Sequence, residues 1–150
     1  MTLNEFLVQA KINTYAKSGE GGETTSEDGS KELTYVADYF KYRDRYFGSR
    51  FFSGQEIVWQ DDIAVWSMNY YGGIIDEIID SSKVSSFLKE ALREVESSRP
   101  FRGPAEYQVG EWLYRDNSVG DVNDFSGTEE IYWSDKKVYE LKYHGGKIIK

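Results

Sequence analysis

Four carboxylates are the sharpest chemical feature of this 150-residue chain: Asp44 and Glu56 stand in one stretch, and Asp116 and Glu129 recur at matching places in another. If the strands carrying Asp44 and Glu56 form a hairpin centred near Arg50, the two side chains lie roughly opposite each other, and the same folding brings Asp116 near Glu129. Carboxylates that close raise one pKa, which suits a general acid and base, or they hold a hard cation through oxygen ligands. The structural alternative is that Arg43, Arg45, Arg50 and Arg115 neutralise them in a hydrogen-bonded ladder. His144, beside Gly145-Gly146, is a proton shuttle in the acid–base reading and otherwise a hydrogen-bonded residue at a strand end.

A second kind of chemistry sits between the first two carboxylates. Arg45-Tyr46-Phe47-Gly48-Ser49-Arg50-Phe51 occupies the place that Asn117-Ser118-Val119-Gly120-Asp121-Val122-Asn123-Asp124 takes further along. A cationic, aromatic hairpin tip on an acidic protein is a recognition surface, because arginine and tyrosine offer large contact area with directional polar ends. Tyr46, Arg50, Phe51 and Trp59 are the expected ligand contacts. The plain alternative is that these aromatics only cover core.

Composition removes much else. With no cysteine there is no disulfide, thiolate zinc site, iron–sulfur cluster or nucleophilic thiol, and a single histidine forbids any site needing two imidazoles. No metal and no cofactor are expected. Lys+Arg 18 against Asp+Glu 26 gives a net charge of −8, which repels phosphate backbones and anionic lipid, and no basic patch stands out along the chain. Direct nucleic-acid and membrane partners are therefore not expected. The N-terminus has no basic n-region and no long apolar run, so the expected location is the cytoplasm. Gly145-Gly146-Lys147 lacks the spacing of a phosphate loop and has no helix after it.

The elements that must position these residues come from periodicity. Val84, Phe87, Leu88, Ala91, Leu92 and Val95 form an apolar stripe that predicts a helix over 83–96, capped near Asp80. Leu3, Phe6, Leu7 and Ala10 predict a shorter N-terminal helix ending around 17–19, and the Gly/Ser/Thr/Glu-rich stretch 18–30 reads as a mobile loop. Aromatic and β-branched density predicts strands near 32–37, 39–47, 54–60 and 63–70, then near 105–109, 111–117, 127–133 and 137–144. Asp61-Asp62 and Ser134-Asp135 read as tight turns, with Gly72-Gly73 and Gly145-Gly146 closing each series through positive φ.

The chain also matches itself. Gly54, Glu56, Asp62, Val65, Tyr70, Gly72 and Gly73 recur 73 residues later as Gly127, Glu129, Asp135, Val138, Tyr143, Gly145 and Gly146, and Tyr42-Arg43-Asp44 recurs as Tyr114-Arg115-Asp116. The expected fold is therefore α+β: a tandem duplication (1–78 and 79–150) of a helix plus a four-stranded antiparallel meander, related by a pseudo-two-fold, with the helices on one face of the sheet.

Phe6-Leu7-Val8-Gln9-Ala10-Lys11, Tyr42-Arg43-Asp44, Phe52-Ser53-Gly54-Gln55-Glu56, Trp66-Ser67-Met68-Asn69-Tyr70-Tyr71-Gly72 and Phe101-Arg102-Gly103-Pro104 together resemble an uncharacterised bacterial domain of unknown function. Members of that family occur alone or behind helix-turn-helix regulators of the xenobiotic-response-element type, and the resemblance implies a sensing or partner-binding role. It supplies no catalytic residues. The resulting expectation is a non-enzymatic module that binds a small molecule or a protein. The alternatives are an acid–base enzyme using Asp44, Glu56 and His144, and a dimerisation or scaffold domain.

Overall fold

A computed structural model describes residues 1–16 and 23–150. In chain order the elements are α1 (Leu3–Ile12), β1 (Thr24–Thr25), β2 (Lys31–Ala37), β3 (Phe40–Gly48), β4 (Phe51–Gln60), β5 (Ile63–Ile74), α2 (Ser81–Leu92), β6 (Glu106–Val109), β7 (Trp112–Asp121), β8 (Asp124–Trp133) and β9 (Lys136–Lys147). All nine strands belong to one antiparallel sheet in the order β1-β2-β3-β4-β5-β9-β8-β7-β6.

This overturns the α+β expectation of a duplicated helix-plus-meander unit. The described residues form one large sheet with two short helices of 10 and 12 residues. What joins the strands into a single sheet is the β5–β9 ladder, in register from Trp66 opposite Lys147 to Ile74 opposite Tyr139. Pairing between strands some 70 residues apart leaves no local pattern, so periodicity along the chain does not reveal it.

One glycine of each pair, Gly72 and Gly145, bears directly on that ladder. Gly72, Gly73, Gly145 and Gly146 lie inside β5 and β9 rather than ending them, and none has positive φ. Their role is close approach. A Cβ on Gly72 would overlap the Glu140 carbonyl and the Leu141 backbone of β9, and one on Gly73 would overlap the Arg50 carbonyl. The tight turns do use positive φ, at Asp61 and Asp62 (50° and 66°) and at Ser134 and Asp135 (49° and 65°), the geometry of type I′ hairpins.

Both helices form where capping and an apolar stripe coincide. Thr2 Oγ1 accepts from Glu5 N while Thr2 N donates to the Glu5 carboxylate, a capping box for α1, and Asp80 accepts from Ser82 N at the start of α2. α1 stops at Ile12 rather than around 17–19, and Thr24–Thr25 forms a short edge strand within the stretch expected to be a loop; residues 18–22 of that stretch lie outside the described residues.

The sheet has one covered and one open face. Two-residue alternation sends Trp66, Met68 and Tyr70 of β5 and Tyr139, Leu141 and Tyr143 of β9 to the covered side, where they meet Phe6, Leu7 and Ala10 of α1 and Val84, Phe87, Ala91 and Leu92 of α2. Between the helices and the sheet runs an irregular buried segment, Pro100 to Pro104. Its Phe101 stacks on Phe125 with centroids 4.1 Å apart and planes at 11°, and Phe125 stacks in turn on Trp66.

Candidate functional site

The carboxylates lie on the covered face. Asp44 of β3 is directly opposite Glu56 of β4, and Asp116 of β7 is opposite Glu129 of β8. All four are buried. Bare glycines then let two tyrosines reach them. Tyr70 pairs with Gly54, where a Cβ would collide with its phenol, so the ring lies across β4 and donates its hydroxyl to Asp44 Oδ1 at 2.5 Å. Tyr143 crosses Gly127 in the same way and donates to Asp116 Oδ1 at 2.7 Å.

Buried charge needs a buried partner, because desolvating an unpaired ion costs several kcal/mol, on the order of the whole stability of a domain. Three cations serve. Lys11, on the face of α1 turned to the sheet, donates to Glu56 Oε1 at 2.7 Å and to the Phe101 carbonyl at 2.6 Å, and both side chains of that pair are fully enclosed. Arg102 forms a bidentate pair with Glu129 (3.0 and 2.9 Å), whose oxygens also accept from Tyr114 (2.6 Å) and Tyr139 (2.7 Å). Arg99 stands 3.8 Å from Asp116 and donates to its main-chain carbonyl at 2.7 Å.

Asp44 differs from the other three. Among the described residues no cation lies within ion-pair distance of it, and Tyr70 is its hydrogen-bond donor. Burial, reinforced by the Glu56 charge opposite, raises its pKa to about 7. Asp116 is also raised to about 7, by burial first and then by Glu129. The same enclosure lowers the Lys11 pKa from that of a free lysine, with Glu56 opposing the shift.

A cleft of about 520 Å³ opens onto Asp44 between the sheet and the helices. Tyr15, Tyr46, Phe52 and Tyr70 wall it with rings, Leu88 and Leu92 of α2 close the opposite side, and Arg102 reaches its floor. The Arg102 guanidinium lies over the Tyr15 and Tyr70 rings, 5.2 and 5.6 Å from their centroids, so its charge is shared between Glu129 and two aromatic faces.

The residues singled out from sequence do not share one place. Tyr46 lines the cleft, half-buried, with its pKa raised by burial and by Glu23. Arg50, exposed at the β3–β4 tip, donates to the Asp76 carbonyl at 2.7 Å and ties the tip to the segment after β5. Phe51 and Trp59 lie on the open face, Phe51 stacked on Tyr71 and Trp59 beneath Lys41 and Arg43. Asp44 and Glu56 are neighbours, whereas His144, opposite Asn69, is on the other side of the sheet. Lys11, Tyr15 and Arg102 went unmarked in the sequence reading. Lys11 had a signal: it stands four residues after Leu7, where the apolar stripe of α1 calls for another core residue.

A β-sheet protein with a buried ionic core beneath a ring-walled cleft is the class these features define. The family model described as Domain of unknown function (DUF5680) matches residues 44–148, so the chain belongs to that family. No curated protein and no solved structure matches it. Among the described residues no group of three or more histidines or carboxylates is arranged to hold a metal ion, and no helix is long and apolar enough to cross a membrane.

Proposed function

We propose that the protein is a binding module whose cleft takes a small organic amine, its ammonium group seated on Asp44 and its apolar body among Tyr15, Tyr46, Phe52 and Tyr70. The observation that carries this reading is Asp44 itself, a buried carboxylate lining the cleft that, among the described residues, has no cation within ion-pair distance, unlike its three counterparts, although Lys31, Lys89 and Arg102 stand elsewhere in the lining. A ligand ammonium supplies the missing charge, and the surrounding rings favour a cation near their faces. Of the four contacts expected from sequence, Tyr46 serves this site.

Proton and ammonium compete for the same oxygen, so affinity rises with pH through about 7. Calorimetric titration with tyramine, and with 4-ethylphenol as its neutral counterpart, tests the reading. Tyramine is expected to bind at least tenfold tighter, and Asp44→Asn to remove that preference while the far-ultraviolet circular dichroism stays unchanged. Equal binding of the two compounds, or tyramine binding that survives the substitution, defeats it.

A second reading, acid–base chemistry, draws on the same carboxyl group being poised near neutrality beside the Tyr70 hydroxyl. It runs through Asp44 alone, because Glu56 is held by Lys11 and His144 faces away. Conversion of bound amine to a new species by wild-type protein but not by Asp44→Asn, followed by proton NMR, favours it over simple binding.

A further inference from the structure

The open face of the sheet carries what the chain-order reading missed, a basic patch assembled from separated strands. One row of directly opposed residues runs Arg45, Gln55, Asn69, His144 and Ser126 across β3, β4, β5, β9 and β8. The adjacent row runs Phe47, Ser53, Tyr71 and Lys142. These rows floor a hollow of about 840 Å³, in whose lining Asp28 is the one carboxylate among the described residues, and Asp28 is already engaged by Arg45. Lys142 and His144 make no ion pair among the described residues. They lie two residues apart on one strand, so their side chains emerge on the same face about 7 Å from each other. On a chain of net charge −8, the Lys142 ammonium with the His144 ring and the neighbouring amide donors beside it is a charge-complementary seat for an anion.

The hollow also offers a surface for a flat ring. Tyr71 is 61% exposed and directly opposite Lys142, and it is stacked with Phe51 at 6.5 Å and 23°. Asn69 and Gln55, joined by a 2.9 Å hydrogen bond, place further donors and acceptors next to it. Arg43 adds positive charge at the far side, its guanidinium spread over Trp59 and its Nε without a hydrogen-bond partner.

We propose that this hollow binds a mononucleotide-class ligand, with the phosphate between Lys142 and His144, the planar base on Tyr71 and the Asn69 amide beside the sugar that joins them. The site lies on the opposite face from the cleft and does not depend on it. Tyr71 and Lys142 are directly opposite on neighbouring strands, about 5 Å apart, so a ring on Tyr71 and an anion at Lys142 belong to one small ligand. Stacking supplies affinity for any base, and the phosphate contact makes binding salt-dependent.

Calorimetric titration of the full chain with AMP, adenosine and inorganic phosphate separates the parts. AMP is expected to bind at least tenfold tighter than either fragment and to weaken as salt rises. Lys142→Glu and Tyr71→Ala, both at exposed positions, are each expected to cost tenfold or more, and nitrogen-15 shifts of the His144 ring should move with AMP. Asp44→Asn should bind AMP as wild type does, whatever becomes of amine binding in the cleft. AMP binding no tighter than phosphate, unchanged by Lys142→Glu, or lost in Asp44→Asn overturns the proposal.

Discussion

Two buried aspartates are expected to make the protein less stable as pH rises toward neutrality. In the folded state Asp44 and Asp116 hold their protons up to about 7, against 3.8 for an ordinary aspartate. Between those limits the native state binds more protons than the unfolded chain, so the free energy of unfolding falls as pH rises from about 4 to 7. One extra bound proton corresponds to a slope of about 1.4 kcal/mol per pH unit, and two aspartates set an upper slope of about twice that. Asp28, Asp76 and Asp80 are shifted the other way, downward, by hydrogen bonds from Ser30, Lys136 and Ser82 in turn, so their contribution is lost only as pH falls below the ordinary aspartate value. Urea unfolding at half-unit steps from pH 4 to 8 measures the slope, and Asp44→Asn, a neutral isostere, should remove about one proton's worth of it while raising stability at pH 8 relative to wild type. A stability that climbs between pH 4 and 7, or a slope that Asp44→Asn leaves intact, refutes the argument that burial governs these groups.

Two further outcomes follow from the packing. Lys11→Met leaves Glu56 enclosed without its cation and is expected to cost about 3–5 kcal/mol in urea unfolding at pH 8, most of it recovered when Glu56→Leu is added, since a buried pair replaced by apolar groups is close to neutral. Gly73→Ala places a methyl group into the Arg50 carbonyl, a backbone atom that cannot step aside, and should lower stability by about 1–3 kcal/mol in thermal unfolding.

Locally determined features were legible in the sequence. Alternation of Trp66, Met68 and Tyr70 located a core strand, Asp61-Asp62 and Ser134-Asp135 marked turns whose positive φ the structure shows, and the apolar stripe from Val84 located α2. The opposition of Asp44 and Glu56 follows from hairpin geometry alone, and the structure has it. What long-range contact decides was not legible. Gly72-Gly73 and Gly145-Gly146 look like strand ends because glycine is a poor strand former, yet they lie within the β5–β9 ladder, where Gly72 and Gly145 let the two strands press together while Gly73 and Gly146 admit the hairpin tips at Arg50 and Asn123. The basic patch escaped notice for a related reason: Arg43, Lys142 and His144 are about a hundred residues apart in part, and only strand order makes them neighbours.

The ionic core itself has a structural logic. The segment from Arg99 to Gly103 has no ladder to belong to, and its main-chain groups must still be satisfied in a dry interior. The charged side chains do this: Lys11 donates to the Phe101 carbonyl and Tyr114 accepts from Gly103 N, while Arg99 and Arg102 fasten the segment to β7 and β8. Glu56 and Glu129 in turn hold Lys11 and Arg102, which accounts for three cations and two of the carboxylates as clamps on one irregular stretch of chain. Asp116 is drawn in through Arg99. Among the described residues Asp44 holds only the Tyr70 hydroxyl, and of the four core carboxylates it is the one that lines the cleft. Asp44 is thus the one core carboxylate that ties no part of this segment to the sheet, which is why the amine-binding proposal is placed on it.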